Sequence, residues 1–564
     1  MKKITLFILL SFLLLVSSVK SQTTYRYKNE VFTDAQLSIA KNITYGININ
    51  WLIINQTDLG TPSNAPQIIS ELTFLKTKVL SGQAASIPLK YFYPKTTPPG
   101  DSTILKVTQL KLDAYMPSLM VDTAKKRPVI IYLHTGNFLP PGINGSPCGA
   151  KNDSVAVDLC KAFARRGYVV LCIDYRLGWN PLASTVDGRR AGLLNAVYRS
   201  IQDVKECVRV IKSPNMSPYK LDTANIALFG EGSGAYLAHA YNTLDKYPEF
   251  MVLPKFAGYI DTSKVGYIDG THGLFNLYAN SKVNTKIKVI GTIGGALADT
   301  TWLEAGDAPT ISMQCVRDPF APFGYGMVKV PNLGLDVVEV DGANNTIARA
   351  QRLGNNSIFA TVPSGDPYTI KARSLYNKTV DYIYPAPADK ITIRNGEGMY
   401  PFLLPKASSV EANQASPWQW WDPNSAEAKY IVQAPSVTAH MAASASNSDM
   451  SKSKSRIYQD TILGFVSPRF ALVMGYLTAA QLSTKAPKLA EVKIYPNPAS
   501  NNVNISYRGI INYITITDLS GKTVYSTNVN DNFVSISTLS LKTGLYLVNI
   551  NTNDGSATQK LLID

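Results

Sequence analysis

Between Arg127 and Phe229 unbroken apolar runs alternate with stretches in which apolar residues return every three or four positions. The first run, "RPVIIYLHTGNF" from Arg127, predicts a buried strand entering a polar turn. A helix is predicted over Ser154 to Arg166, with Val155, Leu159, Cys160 and Phe163 on one face and Gly167 placed as a C-cap. "YVVLCIDYR", Tyr168 to Arg176, reads as a second buried strand, and Leu193 to Ile211 as a helix carrying Val197, Ile201, Val204, Val208 and Ile211 on one side. "IALF", Ile226 to Phe229, is the third strand. Strands apolar throughout, separated by amphipathic helices, require a parallel sheet covered on both faces, so the predicted fold class is doubly wound α/β. Further strands are visible in "KIKVIGTIGG" (Lys286 to Gly295) and "TISMQCVRDP" (Thr310 to Pro319). Beyond Asp318 the pattern is irregular through "DKITIRNGEGMYPFLLP" and "SPWQWWDP" until a last apolar helix near Ile457 to Tyr476. "MAASASNSDMSKSKS" from Met441 has no period and is expected to be a mobile loop.

Near Pro487 the period changes to two. "VKIYPNPASNNVNISY", "YITITDLSGKTVYS", "FVSIST" and "GLYLVNINT" alternate apolar and polar residues with turn signals between them, the pattern of a small antiparallel β-sandwich. At the other end, Met1, Lys2 and Lys3 precede a mostly apolar run from Ile4 to Val16, with Val19 and Ser21 placed for cleavage before Gln22. That is the layout of a secretory signal peptide, whose apolar core is too short to span a bilayer. The expected organisation is therefore a signal peptide over 1–21, an α/β domain with an N-terminal extension and cap insertions over 22–484, a linker over 485–491 and the sandwich over 492–564.

Composition agrees with a large globular core, since 45% of the 564 residues are hydrophobic. The formal charge of +15 falls to +12 without Lys2, Lys3 and Lys20, and the remaining lysines are scattered, with "SKSKSR" at Ser451 to Arg456 the densest group. Nucleic-acid recognition needs a concentrated basic patch, so no nucleic-acid partner is expected. Five cysteines leave at least one thiol unpaired within the chain. Cys172 in an apolar strand and Cys207 on an amphipathic helix read as buried thiols; Cys148 and Cys160 could pair, which the sequence does not decide. Cys-x-x-Cys and other metal-ligand spacings are missing, and neither metal nor cofactor is expected.

The chemistry concentrates in "IALFGEGSGAY", Ile226 to Tyr236, a strand, a glycine-rich turn and a helix start. In a G-x-S-x-G nucleophile elbow the residues two before and two after the nucleophile must be small, because the chain folds back sharply there. Gly230 and Gly234 fill those flanks, and the residue between them is Gly232. Centring the elbow on Ser233 would put Glu231 and Ala235 at the flanks, and a carboxylate is a poor tenant for so close a contact. The nucleophile position thus falls on a residue without a side chain.

With "LKLDAYMP" (Leu110 to Pro117), "RPVIIYLHTGNF", "RRGYVVLCIDYRLG" (Arg165 to Gly178), "IQDVKECVRVI" and "NIALFGEGSGAY" in order, roughly residues 25 to 480 resemble α/β-hydrolases of the carboxylesterase type. The resemblance implies a fold whose members cleave carboxylic esters with a serine, an acid, a histidine and a backbone oxyanion hole, and it aligns Gly232 with the serine of a usual G-E-S-A-G. The oxyanion turn of that family, H-G-G-G, corresponds to His134, Thr135, Gly136 and Asn137, where two of three glycines are replaced. Asp318 in "CVRDPFAP" falls at the acid position. The histidine is expected in the turn after the late strand "KITIRN", where Gly398, Met399 and Tyr400 stand instead. His134, His239 and His272 precede Asp318, so His440 is the one downstream candidate for a base. Trp418, Trp420 and Trp421 either pack a cap against the sheet or stack on a ligand.

The sandwich closely resembles the type A C-terminal sorting domains of type IX secretion cargo in Bacteroidetes-type bacteria, through "YPNPASN" (Tyr495 to Asn501), "ITDLSGKTVY" (Ile516 to Tyr525), "LKTGLYLVNI" (Leu541 to Ile550) and the final "QKLLID". That resemblance implies engagement of the type IX machinery through 492–564 and a place outside the cell or on its surface, reached through the periplasm. Three functions remain in view: a degenerate hydrolase binding an unknown small-molecule, ester or glycan ligand; a working esterase using Ser233, Asp318 and His440; and a structural cell-surface component.

Overall fold

The computed structural model describes residues 25–564 apart from 55, 94–101, 252–257, 332, 383–389, 405–414, 434, 483–491, 519–521 and 553–554. The expected signal peptide (1–21) and linker (485–491) lie outside the described residues. Two compact units emerge, one built from most of the chain up to residue 479 and a second from residue 480 to the C-terminus together with residues 363–367.

The larger unit is organised on an eight-stranded sheet: β1 (Leu37–Ile49), β2 (Val107–Pro117), β3 (Arg127–Leu133), β4 (Val169–Ile173), β5 (Leu221–Glu231), β6 (Val289–Ile293), β7 (Thr310–Cys315) and β8 (Met399–Phe402), in the spatial order β1-β2-β4-β3-β5-β6-β7-β8. The pairs β1/β2 and β2/β4 are antiparallel, and every pair from β4 across to β8 is parallel. Helices α1 (Ala65–Leu80), α2 (Ser154–Arg165), α3 (Val186–Ile211), α4 (Ser233–Thr243), α5 (Ala343–Arg352) and α6 (Lys452–Val473) follow in chain order.

Alternation along the strands sorts the core into two layers. Val129, Ile131, Leu133 and Leu228 pack with Val204 and Val208 of α3 and Leu237 of α4. The residues between them, Tyr132 and Phe229, meet each other, while Phe163 of α2 and Phe470 of α6 both close on Phe229. Each such fully buried side chain contributes about 1.5–3 kcal/mol relative to exposure. This is the doubly wound, mostly parallel α/β arrangement expected from the apolar runs.

Several boundaries differ from the sequence reading, each with a local cause. Helix α3 starts seven residues before Leu193, because the Thr185 hydroxyl caps it by accepting from Gly188 N and its first two turns carry no apolar stripe to read. The aperiodic stretch from Met441 is not a plain loop: Ala439–Ser444 is helical, capped by the Thr438 hydroxyl, and α6 already begins at Lys452 behind the cap of Ser451. Small polar residues without a period conceal a helix that a side-chain cap starts. All five cysteines are buried and free, so Cys148 and Cys160 are not paired.

The C-terminal unit holds five antiparallel strands, β9 (Lys493–Tyr495), β10 (Asn502–Thr517), β11 (Thr523–Ser537), β12 (Gly544–Thr552) and β13 (Gly555–Ile563). The first part of β10 pairs with β9 and its last part with β12, while β11 follows it along both. The alternating residues Val503, Ile505, Ile514, Ile516, Val548 and Ile550 fill a core of its own, giving the appended β-sandwich of the sequence reading.

Candidate functional site

Strand β5 ends at Glu231 and α4 begins at Ser233, so the whole reversal falls on Gly232, with φ 54° and ψ −117°. That backbone region is costly for any residue bearing a Cβ. The flanks are as tight as the glycine spacing requires: a Cβ on Gly230 would stand 2.2 Å from Gly234 O, and one on Gly234 would stand 2.1 Å from Leu133 O. The apex is Gly232, and Ser233 is the first helical residue.

A Cβ built on Gly232 would lie 2.2 Å from Thr135 Oγ1 and 3.0 Å from Thr135 Cβ. The place of a side chain at the apex is taken by the threonine of the oxyanion-like turn. That turn is strained, with φ of 121° at Gly136, 55° at Asn137 and 56° at Phe138. Asn137 N, the donor that the turn offers towards the elbow, donates to Ser233 Oγ at 2.9 Å. Asn137 O accepts from Trp179 Nε1 at 2.7 Å. His134 is buried, its ring stacked on Tyr175 at 4.5 Å, and burial pushes its pKa down to about 4. It is therefore neutral near pH 7, with Nδ1–H donating to Thr135 O at 2.6 Å.

Asp318 follows β7, and its Oδ1 accepts from Phe320 N at 2.8 Å and Ala321 N at 3.0 Å. Burial nevertheless raises its pKa to about 7, and among the described residues no cation pairs with it. Asp318 lines one cavity of about 140 Å³ together with Thr135, Gly232, Ser233, Gln419 and Trp421. His440 is not in that lining. Its Nδ1 accepts from Trp421 Nε1 at 3.1 Å, and among the described residues no hydrogen bond joins it to Ser233 or Asp318. His239 is a core residue of α4 beside Thr292, its pKa lowered to about 4 by burial.

The expected histidine turn after "KITIRN" requires correction. Lys390–Thr392 pairs only with Thr379–Asp381, in a hairpin outside the main sheet, and the last sheet strand is Met399–Phe402. A β-branched alternating stretch outweighed the shorter, proline-containing "MYPF" in the pattern. The chain following β8 reaches the elbow with Ser416, Gln419 and Trp421, and the sequence holds no histidine between Leu403 and Ala439. Trp418 Nε1 and Gln419 Nε2 both donate to Glu231 Oε1, at 3.1 and 2.8 Å, while Tyr132 OH donates to Oε2 at 2.8 Å. Trp418 is fully buried, whereas Trp420 donates to Asp158 under the ammonium of Lys452, so of the three tryptophans only Trp421 borders the cavity.

Sequence reasoning missed the second chamber. An apolar cavity of about 100 Å³ shares Asn137, Ser233, Tyr236, Val328, Lys329 and Pro331 with the first and is otherwise walled by residues such as Trp179, Leu193, Phe250 and Trp302. Among the described residues the buried Tyr236 hydroxyl has no hydrogen-bond partner. These walls come from α3, α4, the hairpin Tyr325–Lys329/Asp336–Asp341 and the connecting segments that carry Trp179, Phe250 and Trp302, and nothing in the spacing of such residues distinguishes a cavity wall from ordinary core. Among the described residues no group of three or more His, Cys, Asp or Glu could hold a metal ion, and no helix is long and apolar enough to cross a membrane.

Residues 112–292 match the family described as BD-FAE, and residues 493–564 match the secretion system C-terminal sorting domain. Comparison with curated proteins returns no match. Among solved structures, this chain is similar to esterase 2 of Thermogutta terrifontis phosphorylated by paraoxon, at 17% identity over 38% of this chain and 69% of that one, with a TM-score of 0.24. The propionate-bound form of that esterase is matched at 17% identity over 38% and 70%, with a TM-score of 0.26. A bifunctional GH43-CE protein of Bacteroides eggerthii is matched at 18% identity over 38% of this chain and 29% of that one, with a TM-score of 0.25.

Proposed function

We propose that this chain, an esterase-like α/β-hydrolase domain joined to a sorting domain that directs export by type IX secretion to the cell surface or outside, binds a small ligand without cleaving it. The observation that carries this reading is the contact between Gly232 and Thr135: the apex has no side chain, and the space for one is filled by a hydroxyl from the facing turn. Three further features support it. Asn137 N is engaged by Ser233 Oγ rather than left open towards a developing oxyanion. Asp318 is held by backbone N–H groups alone, and its raised pKa is that of a carboxyl without an imidazolium partner. The remaining candidate base, His440, is tied to Trp421.

Loss of the nucleophile or of the base typically costs about a million-fold in turnover, and the two act as one unit. What persists is a binding site: the cavity at the elbow, continuous in its lining with the apolar chamber beyond Tyr236. Such a chamber takes an apolar group whose polar end remains near Thr135 and Tyr236.

The test uses the mature chain with p-nitrophenyl acetate and butyrate and with a fluorophosphonate probe. We expect no turnover above buffer and no covalent labelling, together with thermal stabilisation by short aryl esters that are recovered intact. Labelling that disappears in Ser233→Ala would establish the competing esterase.

A further inference from the structure

A third cavity, separate from the elbow, adjoins the apolar chamber, and Trp179 borders both. It has a volume of about 470 Å³ and is lined by Trp51, Asn180, Gly192, Asn195, Arg199 and Lys264, among others. Arg199 is 4% exposed. Its Nη2 donates to Gly178 O at 2.7 Å, but Nε has no acceptor, and among the described residues no carboxylate lies within ion-pair distance of the guanidinium.

The carboxylate of Asp203 is already committed to other donors. Asp203 receives Arg176 Nε at 2.8 Å, the Arg176 backbone N–H at 2.7 Å and the Tyr278 hydroxyl at 2.6 Å. Asp203 therefore pairs with Arg176 and not with Arg199, and burial and repulsion by Arg176 pull the Arg199 pKa down to about 9. A buried guanidinium without a counter-ion is costly to maintain. Trp51 lies 5.0 Å beneath it in a cation–π contact, and the Trp51 Nε1–H is a second buried donor without an acceptor. At the rim Lys264 is neutralised by Asp261 at 3.3 Å, which leaves one uncompensated positive charge.

We propose that this cavity is a binding site for a small organic monocarboxylate, whose single charge matches Arg199 and whose body packs against Trp51 and Trp179. The guanidinium at the wall calls for an acceptor oxygen, and the aromatic walls favour a ring or short chain over a bare inorganic anion.

The mature chain is titrated with benzoate and with glucuronate, reading melting temperature and tryptophan fluorescence, against chloride at equal ionic strength and against phosphate. Saturable stabilisation by at least one carboxylate at millimolar concentration is expected, with chloride and phosphate giving none, and at least tenfold weaker binding in Arg199→Gln. Gly192→Leu is the second variant: a Cβ there meets only ordinary contacts at 3.5–3.7 Å, so a larger side chain built from this lining position takes up room in the cavity, and the stabilisation should vanish. The proposal is overturned if neither carboxylate stabilises the chain beyond chloride up to 50 mM, if phosphate binds more tightly than both, or if Gly192→Leu responds as the parent does.

Discussion

Substituting Gly232→Ser returns a hydroxyl to the apex of the elbow, and the structure sets what that costs. A residue with a Cβ at φ 54° and ψ −117° carries about 1–3 kcal/mol of backbone strain. The new Cβ also falls 2.2 Å from Thr135 Oγ1 and 3.0 Å from Thr135 Cβ, and displacing that side chain is an overpacking cost of about 1–3 kcal/mol. Together the substitution destabilises by about 2–6 kcal/mol. Thr135→Gly removes both offending atoms and leaves Thr135 Cα at 3.7 Å, an ordinary contact. The double variant therefore keeps the backbone strain and loses the collision, so the two substitutions are coupled by about 1–3 kcal/mol. A unit of roughly 450 residues unfolds with an entropy of about 0.95 kcal/mol/K, so each kcal/mol moves Tm by about 1 °C. Differential scanning fluorimetry of the parent, both single variants and the double variant resolves a coupling of about 1–3 °C. Additivity within about 0.5 kcal/mol would refute the reasoning, since it would mean that Thr135 does not stand where a side chain on residue 232 has to go. On the proposed non-hydrolytic reading, neither Gly232→Ser nor the double variant should hydrolyse esters, because that reading gives them no catalytic base.

Three further outcomes are expected. The Asp318 carboxyl binds its proton more tightly in the folded state, with a pKa near 7 against an ordinary 3.8, so its contribution to stability is full below about pH 4 and is lost as pH rises through about 7. Asp318→Asn keeps the acceptor for Phe320 N and Ala321 N; it should be more stable than the parent at pH 8 by an amount on the order of 4 kcal/mol, a Tm higher by about 4 °C, and converge with it near pH 4, whereas a lower Tm at pH 8 would reveal a cationic partner. Glu231→Ala strands the donors of Tyr132, Trp418 and Gln419 in a buried site at about 1–3 kcal/mol each, so Tm should fall by several degrees with faster proteolysis near residues 415–421; an unchanged Tm would contradict it. Removal of residues 493–564 should prevent appearance at the cell surface and in the medium, read by fractionation and immunoblotting; normal export of the truncated chain would count against the sorting role.

Order and type of the central elements, the position of the elbow and the appended sandwich were legible in the sequence by itself. Each depends on relations within a few residues: apolar periodicity chooses between buried strand and amphipathic helix, and the clash between residues two apart on either side of a reversal sets Gly230 and Gly234 around Gly232. Helix starts were less legible, since a hydroxyl cap such as Thr185 begins α3 before any apolar stripe appears. What only the tertiary structure decided is which distant segments meet: Thr135 beside Gly232, Gln419 and Trp418 on Glu231, Met399–Phe402 rather than Lys390–Thr392 as the last sheet strand, and Arg199 deprived of the carboxylate that Arg176 holds. Local pattern constrains how a segment folds and says little about which loops close over it, because those contacts follow from how the whole sheet and its crossovers pack.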